Sequence, residues 1–112
     1  MILYGIPNCD TVARARKFLE ARNVAYDFHD VRKDGLETQV VQAAYAALGE
    51  KTFNMRSPTW RGLSDLEKQQ LRAGDDFSAA LQHPTVLKRP LVVHDEFITN
   101  GFNADDWQAL GL

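Results

Sequence analysis

The sequence predicts an α/β protein, a small mixed sheet with helices packed on it. Three observations carry this expectation. The chain opens with an apolar segment, a helical segment and an alternating segment, a β-α-β order. It closes with two short apolar runs and a helical segment, a β-β-α order. The stretch between them carries mainly helical patterns. With 112 residues, the chain is one domain's worth and can bury roughly two-thirds of its unfolded surface. A core of that size needs no disulfide or metal staple.

Each element has its own reason. Met1 to Gly5 is mostly apolar and reads as a buried strand. Ile6-Pro7-Asn8 is turn chemistry, because Pro7 fixes its own φ and pushes Ile6 toward extended geometry. A helix is predicted over about Asp10 to Ala21, where Val12, Ala15, Phe18 and Leu19 recur at helical spacing. Asn8 or Cys9 caps it, and Asp10 in its first turn suits the helix dipole. In the next strand, Ala25 to Val31, Tyr26 and Phe28 face one way and Asp27 and His29 the other. Asp34-Gly35 marks a turn, and Glu37 to Leu48 a second helix stopped by Gly49. Thr52 to Gly62 reads as irregular. Ser64 and Glu67 have capping-box spacing before a helix over about Asp65–Arg72. Another helix follows over about Asp75–Gln82 and ends at His83-Pro84. Leu91–His94 and Phe97–Thr99 form a hairpin, broken by Asn100-Gly101. Asn103 caps a last helix, with Trp107 and Leu110 facing inward.

A β-α-β unit implies a right-handed crossover and a parallel strand pair, and the hairpin adds an antiparallel pair. This order matches a thioredoxin-like fold with a helical insertion. Residues 1–112 are expected to form one domain, with the insertion over about residues 36–84.

Composition excludes several classes. The apolar fraction of 45% and charged fraction of 25% are those of ordinary globular domains. The 13 basic residues against 15 acidic ones leave a net charge of −2, with no footprint for DNA. No apolar run approaches a membrane span, and the first residues lack the pattern of a signal peptide. A cytoplasmic monomer is the expectation. The three histidines, His29, His83 and His94, share no ligand spacing, so no metal site is expected.

The one cysteine, Cys9, stands where a predicted strand gives way to a predicted helix. A thiol there meets unpaired amides and the positive end of the helix dipole, which favour thiolate over thiol. Thiolate is the nucleophile in disulfide exchange and in attack on oxyanions. The alternative is an inert apolar cysteine under the sheet. Val12 occupies the place of the second cysteine of a Cys-x-x-Cys motif. Any disulfide is therefore mixed: with glutathione, with another protein, or with a second copy. Arg89-Pro90 directly precedes the hairpin, and an X-Pro step there can be cis. In a thioredoxin-like fold that proline sits beside the cysteine, with Arg89 directed at Cys9. Arg56 and Arg61 could reach the same place, and a guanidinium fork suits oxyanions and carboxylates. The alternative for each arginine is a solvated surface charge.

Gly5-Ile6-Pro7-Asn8-Cys9-Asp10-Thr11, Arg56 with Thr59-Trp60-Arg61, and Lys88-Arg89-Pro90 with Gly101-Phe102 resemble the ArsC/Spx superfamily. More narrowly they resemble its YffB-type branch of ArsC-like reductases, over essentially the whole chain. The resemblance implies a thioredoxin-like core with a helical insertion and Cys9 as nucleophile. It implies Arg56 and Arg89 as anion-holding residues, with Thr11, Arg61 and Pro90 as further site candidates. It implies no bound cofactor, glutathione as co-substrate or a mixed disulfide as substrate, and glutaredoxin as partner. Arsenate reductases of the superfamily carry a third arginine where this chain has Gly101-Phe102. Spx regulators usually carry Cys-x-x-Cys, which Val12 breaks. The resemblance thus favours a glutathione-dependent monothiol reductase. An arsenate reductase using glutathione and glutaredoxin, and an RNA-polymerase-binding module, are the alternatives.

Overall fold

The computed structural model describes residues 1–112, which form two compact units. Met1–Asp30 and Arg89–Leu112 make the first, and Val31–Lys88 the second. In chain order the elements are β1 (Ile2–Gly5), α1 (Asp10–Ala21), β2 (Asp27–Asp30), α2 (Thr38–Leu48), α3 (Pro58–Arg61), α4 (Asp65–Ala73), α5 (Ser78–Gln82), β3 (Leu91–Val93), β4 (Ile98–Asn100) and α6 (Ala104–Ala109). Two 3₁₀ turns, Gly49–Thr52 and Pro84–Val86, complete the list. No helix is long and apolar enough to cross a membrane.

The first unit holds a four-stranded sheet in the order β2-β1-β3-β4. β1 runs parallel to β2 and antiparallel to β3, and β3 pairs antiparallel with β4. The α1 crossover gives the parallel pair and the hairpin the antiparallel one, as the element order requires. Leu3, Val12, Ala15, Leu19, Val92 and Trp107 form the core, none more than 1% exposed. Removing such side chains from water stabilises the fold by about 1.5–3 kcal/mol each for the larger ones. Trp107 meets Phe18 and Phe102 edge-on, at 6.0 and 5.0 Å between ring centres. Gly5 makes room for this packing: a Cβ there would lie 2.9 Å from Val12 Cγ2.

The expected alternation along β2 is present: Tyr26 and Phe28 both meet Arg16 and pack against the core cluster, whereas His29 packs on Tyr4. Asp27 is exposed, while Phe28 and His29 are both half-buried. β2 is an edge strand, and long side chains cover both of its faces. The Arg16 guanidinium stacks 4.1 Å from the Phe28 ring, and His29 packs 4.9 Å from Tyr4. An expectation fails at Leu110, which is 41% exposed. α6 ends at Ala109, so Leu110 leaves the inward face. The chain turns back instead: the Leu112 amide donates to the Trp107 carbonyl at 3.1 Å, and Leu112 packs on the core.

The second unit is helical. Gly49 and Gly74 end α2 and α4, both with positive φ. The Ser64–Glu67 capping box is present at the start of α4. The segment expected to be irregular contains a short helix, α3, with Ser57 as its cap and Pro58 in its first position. Phe53 bridges to Leu87, and hydrogen bonds from Asn54 to Val86 and from Lys88 to Thr52 tie the two ends of the helical segment together.

Candidate active site

Cys9 is the N-cap of α1. Its own φ of −104° and ψ of 123° are extended, which stops the helix from starting earlier. The first intrahelical bond runs from the Ala13 amide to the Cys9 carbonyl, at 3.0 Å. The amides of Asp10, Thr11 and Val12 therefore lie ahead of the hydrogen-bonded ladder, at the positive end of the helix dipole. The thiol makes no capping hydrogen bond, is half-buried and packs against the core cluster. Cys9 is the free cysteine of the chain. Thr11, two residues on, is half-buried in the first turn of α1. Asp10 is exposed and pairs with Arg14 across one turn at 3.5 Å.

Sheet register brings the Arg-Pro step to the same end. Ile2, Leu3 and Tyr4 of β1 lie opposite Val93, Val92 and Leu91 of β3. β3 begins at Leu91, directly after Arg89-Pro90, so the Arg-Pro step enters the sheet at the end where the chain leaves β1 for Cys9. The Arg89–Pro90 peptide is cis. Pro90 is buried, and its carbonyl accepts from the Gly101 amide at 2.9 Å. Arg89 is half-buried, with its Nε fully out of solvent. Asp30, paired in register with Gly5, puts a carboxylate at this end of the sheet as well.

Arg56 and Arg61 belong to the second unit and are both exposed. The structure brings these two together: Arg61 Nη2 donates to the Arg56 carbonyl. Sequence reasoning missed Asn54, whose Oδ1 accepts from the Arg56 amide at 3.0 Å. The signal was an Asn two residues ahead of Arg56, the spacing of an Asx turn, followed by the Ser57-Pro58 cap. Gly101 has a φ of 68°, and Phe102 turns into the aromatic cluster with Phe18 and Trp107. That position supplies packing rather than a cation.

A mixed four-stranded sheet with helices, and one thiol at the start of its first helix, defines a thioredoxin-like protein. The family model for the ArsC family matches residues 4–110. The chain belongs to the ArsC family, and within the ArsC/Spx superfamily to its YffB-type branch. An uncharacterized protein of Haemophilus influenzae is 38% identical over 96% of this chain and 95% of its own length. The solved structure of a YffB protein superimposes with a TM-score of 0.88 at 32% identity, covering 96% of each chain. An arsenate reductase (ArsC) related protein from Brucella melitensis gives 0.71 at 30% identity, over 96% of this chain and 91% of that one. The Spx 1 global transcriptional regulator of Oceanobacillus iheyensis is 23% identical over 93% of this chain and 81% of its own length.

Proposed function

We propose that this protein is a cytoplasmic, glutathione-dependent monothiol reductase with Cys9 as its nucleophile. The observation that carries this reading is the position of Cys9, ahead of three amides outside the helix ladder and at the sheet end that holds Arg89-Pro90.

The chemistry needs one thiol in the protein. The Cys9 thiolate attacks the glutathione sulfur of a mixed disulfide R–S–SG. A Cys9–SG disulfide forms, and the sulfur–sulfur bond of R–S–SG breaks to release the thiolate R–S⁻, which takes up a proton. A glutathione thiolate then attacks the Cys9–SG bond, which yields glutathione disulfide and restores the Cys9 thiolate. One mixed disulfide is reduced for one glutathione consumed, and one copy of the chain suffices. Glutaredoxin can replace glutathione in the second step. Arg89 holds a substrate carboxylate and favours the thiolate, Pro90 orients the backbone beside it, and Thr11 offers a hydroxyl in the first turn. Arg56 is the second anion-holding residue.

The test is turnover of the mixed disulfide of glutathione and β-mercaptoethanol by purified protein, with glutathione supplied. Cys9→Ser should abolish it, and the Cys9-dependent release of glutathione disulfide should match substrate loss one for one. Turnover retained by Cys9→Ser would overturn the reading. Arsenate, tried in the same assay with glutaredoxin, is the second candidate electrophile. Its case is weakened by Phe102, which lies in the aromatic cluster where arsenate reductases carry an arginine. The regulatory reading is weakened by Val12, which is 1% exposed and sits against Gly5 where a switch cysteine would be needed.

A further inference from the structure

We propose that Arg61 is a positioning residue: its guanidinium holds the backbone of Arg56 so that the Arg56 side chain is presented to an anionic ligand. The inference rests on the proposed role of Arg56 as an anion-holding residue and assigns Arg61 a different part from a direct ligand.

The argument starts from hydrogen bonds. Arg61 Nη2 donates to the Arg56 carbonyl at 2.5 Å. The Arg56 amide donates to Asn54 Oδ1 at 3.0 Å. Both backbone polar groups of Arg56 are thus fixed by side chains rather than by a helix or sheet. The next residue anchors the loop from below. The Ser57 hydroxyl donates to the Asn54 carbonyl at 2.7 Å and accepts from the Trp60 amide at 3.1 Å. Ser57 and Trp60 are only 5% and 7% exposed, so this base is buried.

The Arg56 side chain is treated differently from its backbone. The structure gives its guanidinium no hydrogen bond or ion pair within the protein. It borders a groove of about 560 Å³ in the second unit, shared with Lys51, Lys88 and Phe53. The groove's carboxylate, Glu50, is paired away with Arg72 at 3.4 Å. A locked backbone under an open guanidinium is the arrangement that binds an anion with least ordering cost, because only the side-chain rotamers remain to be fixed. A carbonyl needs a single donor, so a lysine at position 61 could replace the arginine, and an alanine could not.

The experiment measures KM and kcat for the mixed disulfide of glutathione and β-mercaptoethanol, with the thermal midpoint as a folding control. It uses Arg56→Ala, Arg61→Ala, the double variant and Arg61→Lys. Arg56→Ala should raise KM about tenfold, the loss of one charge-assisted contact. Arg61→Ala should raise KM about threefold, the cost of ordering one freed segment, with kcat and thermal midpoint held. Arg61→Lys should restore KM. In the double variant Arg61→Ala should add nothing, because a positioning residue has no effect once the residue it positions is gone. Independent, multiplying effects would overturn the proposal in favour of a direct ligand. An impaired Arg56→Ala beside an unchanged Arg61→Ala would overturn it while leaving the role of Arg56 intact. An unimpaired Arg56→Ala would overturn that underlying role, and the positioning with it.

Discussion

A methyl group at position 74 would test how tightly the second unit is packed. Gly74 has a φ of 72°, and a Cβ there would fall well inside contact distance of the Tyr45 ring. That ring cannot step aside freely, because the Tyr45 hydroxyl donates to the Arg72 carbonyl at 2.6 Å and the ring packs 5.4 Å from Phe77. Backbone strain and overpacking add, so Gly74→Ala should lower the unfolding free energy by about 3 kcal/mol. Urea denaturation would read it, and a loss under about 1 kcal/mol would show that Tyr45 yields. At this scale some residues declared themselves in the sequence and others did not. Cys9 and Arg89-Pro90 were readable because their signals are local: a strand that stops, a helix that starts, a proline at a strand's head. Asn54 was not, because its value depends on a loop closing onto the Arg56 amide and on Arg61 coming back to the carbonyl.

Capping chemistry decides the ends of the helices. At α4, the Ser64 amide donates to Glu67 Oε1 at 2.9 Å, and the Glu67 amide donates to Ser64 Oγ at 3.1 Å. The hydrogen bond from the Ser64 backbone, with that of its side chain, holds the Glu67 carboxyl below its ordinary 4.5. A lowered folded value means that the unfolded chain binds the proton first on acidification. The stabilisation is present above the unfolded value and is lost as pH falls through the folded one. Glu67→Gln removes this titration, so urea midpoints measured from about pH 5 down to about pH 3 should fall less steeply than in the wild type. Equal slopes would show that the box has no part in acid sensitivity. The long or well-capped helices, α1 and α4, were legible to within a residue, since periodicity and cap agreed. The four-residue α3 gave no period to see, and the inward placement of Leu110 assumed one more helical residue than α6 has.

In the whole molecule, the sheet unit is assembled from two distant stretches of chain, Met1–Asp30 and Arg89–Leu112. Trp107 is the seal between them, with 1% of its surface exposed and contacts to Phe18 of α1 and to Phe102. Trp107→Ala should cost about 3–5 kcal/mol of unfolding free energy, read as a lower urea midpoint. A smaller loss would mean that Leu112 and Phe102 close over the gap. The split arrangement also orders events during synthesis. A ribosome delivers Val31–Lys88 complete before any of β3 exists, so the helical unit can finish while β1 still lacks its antiparallel neighbour. Until then one edge of β1 is uncovered, with Leu3 and Tyr4 along it. A nascent or stalled polypeptide thus carries Cys9 before Arg89 and Pro90 have been made, and its thiol is open to disulfide exchange before the sheet behind it is complete.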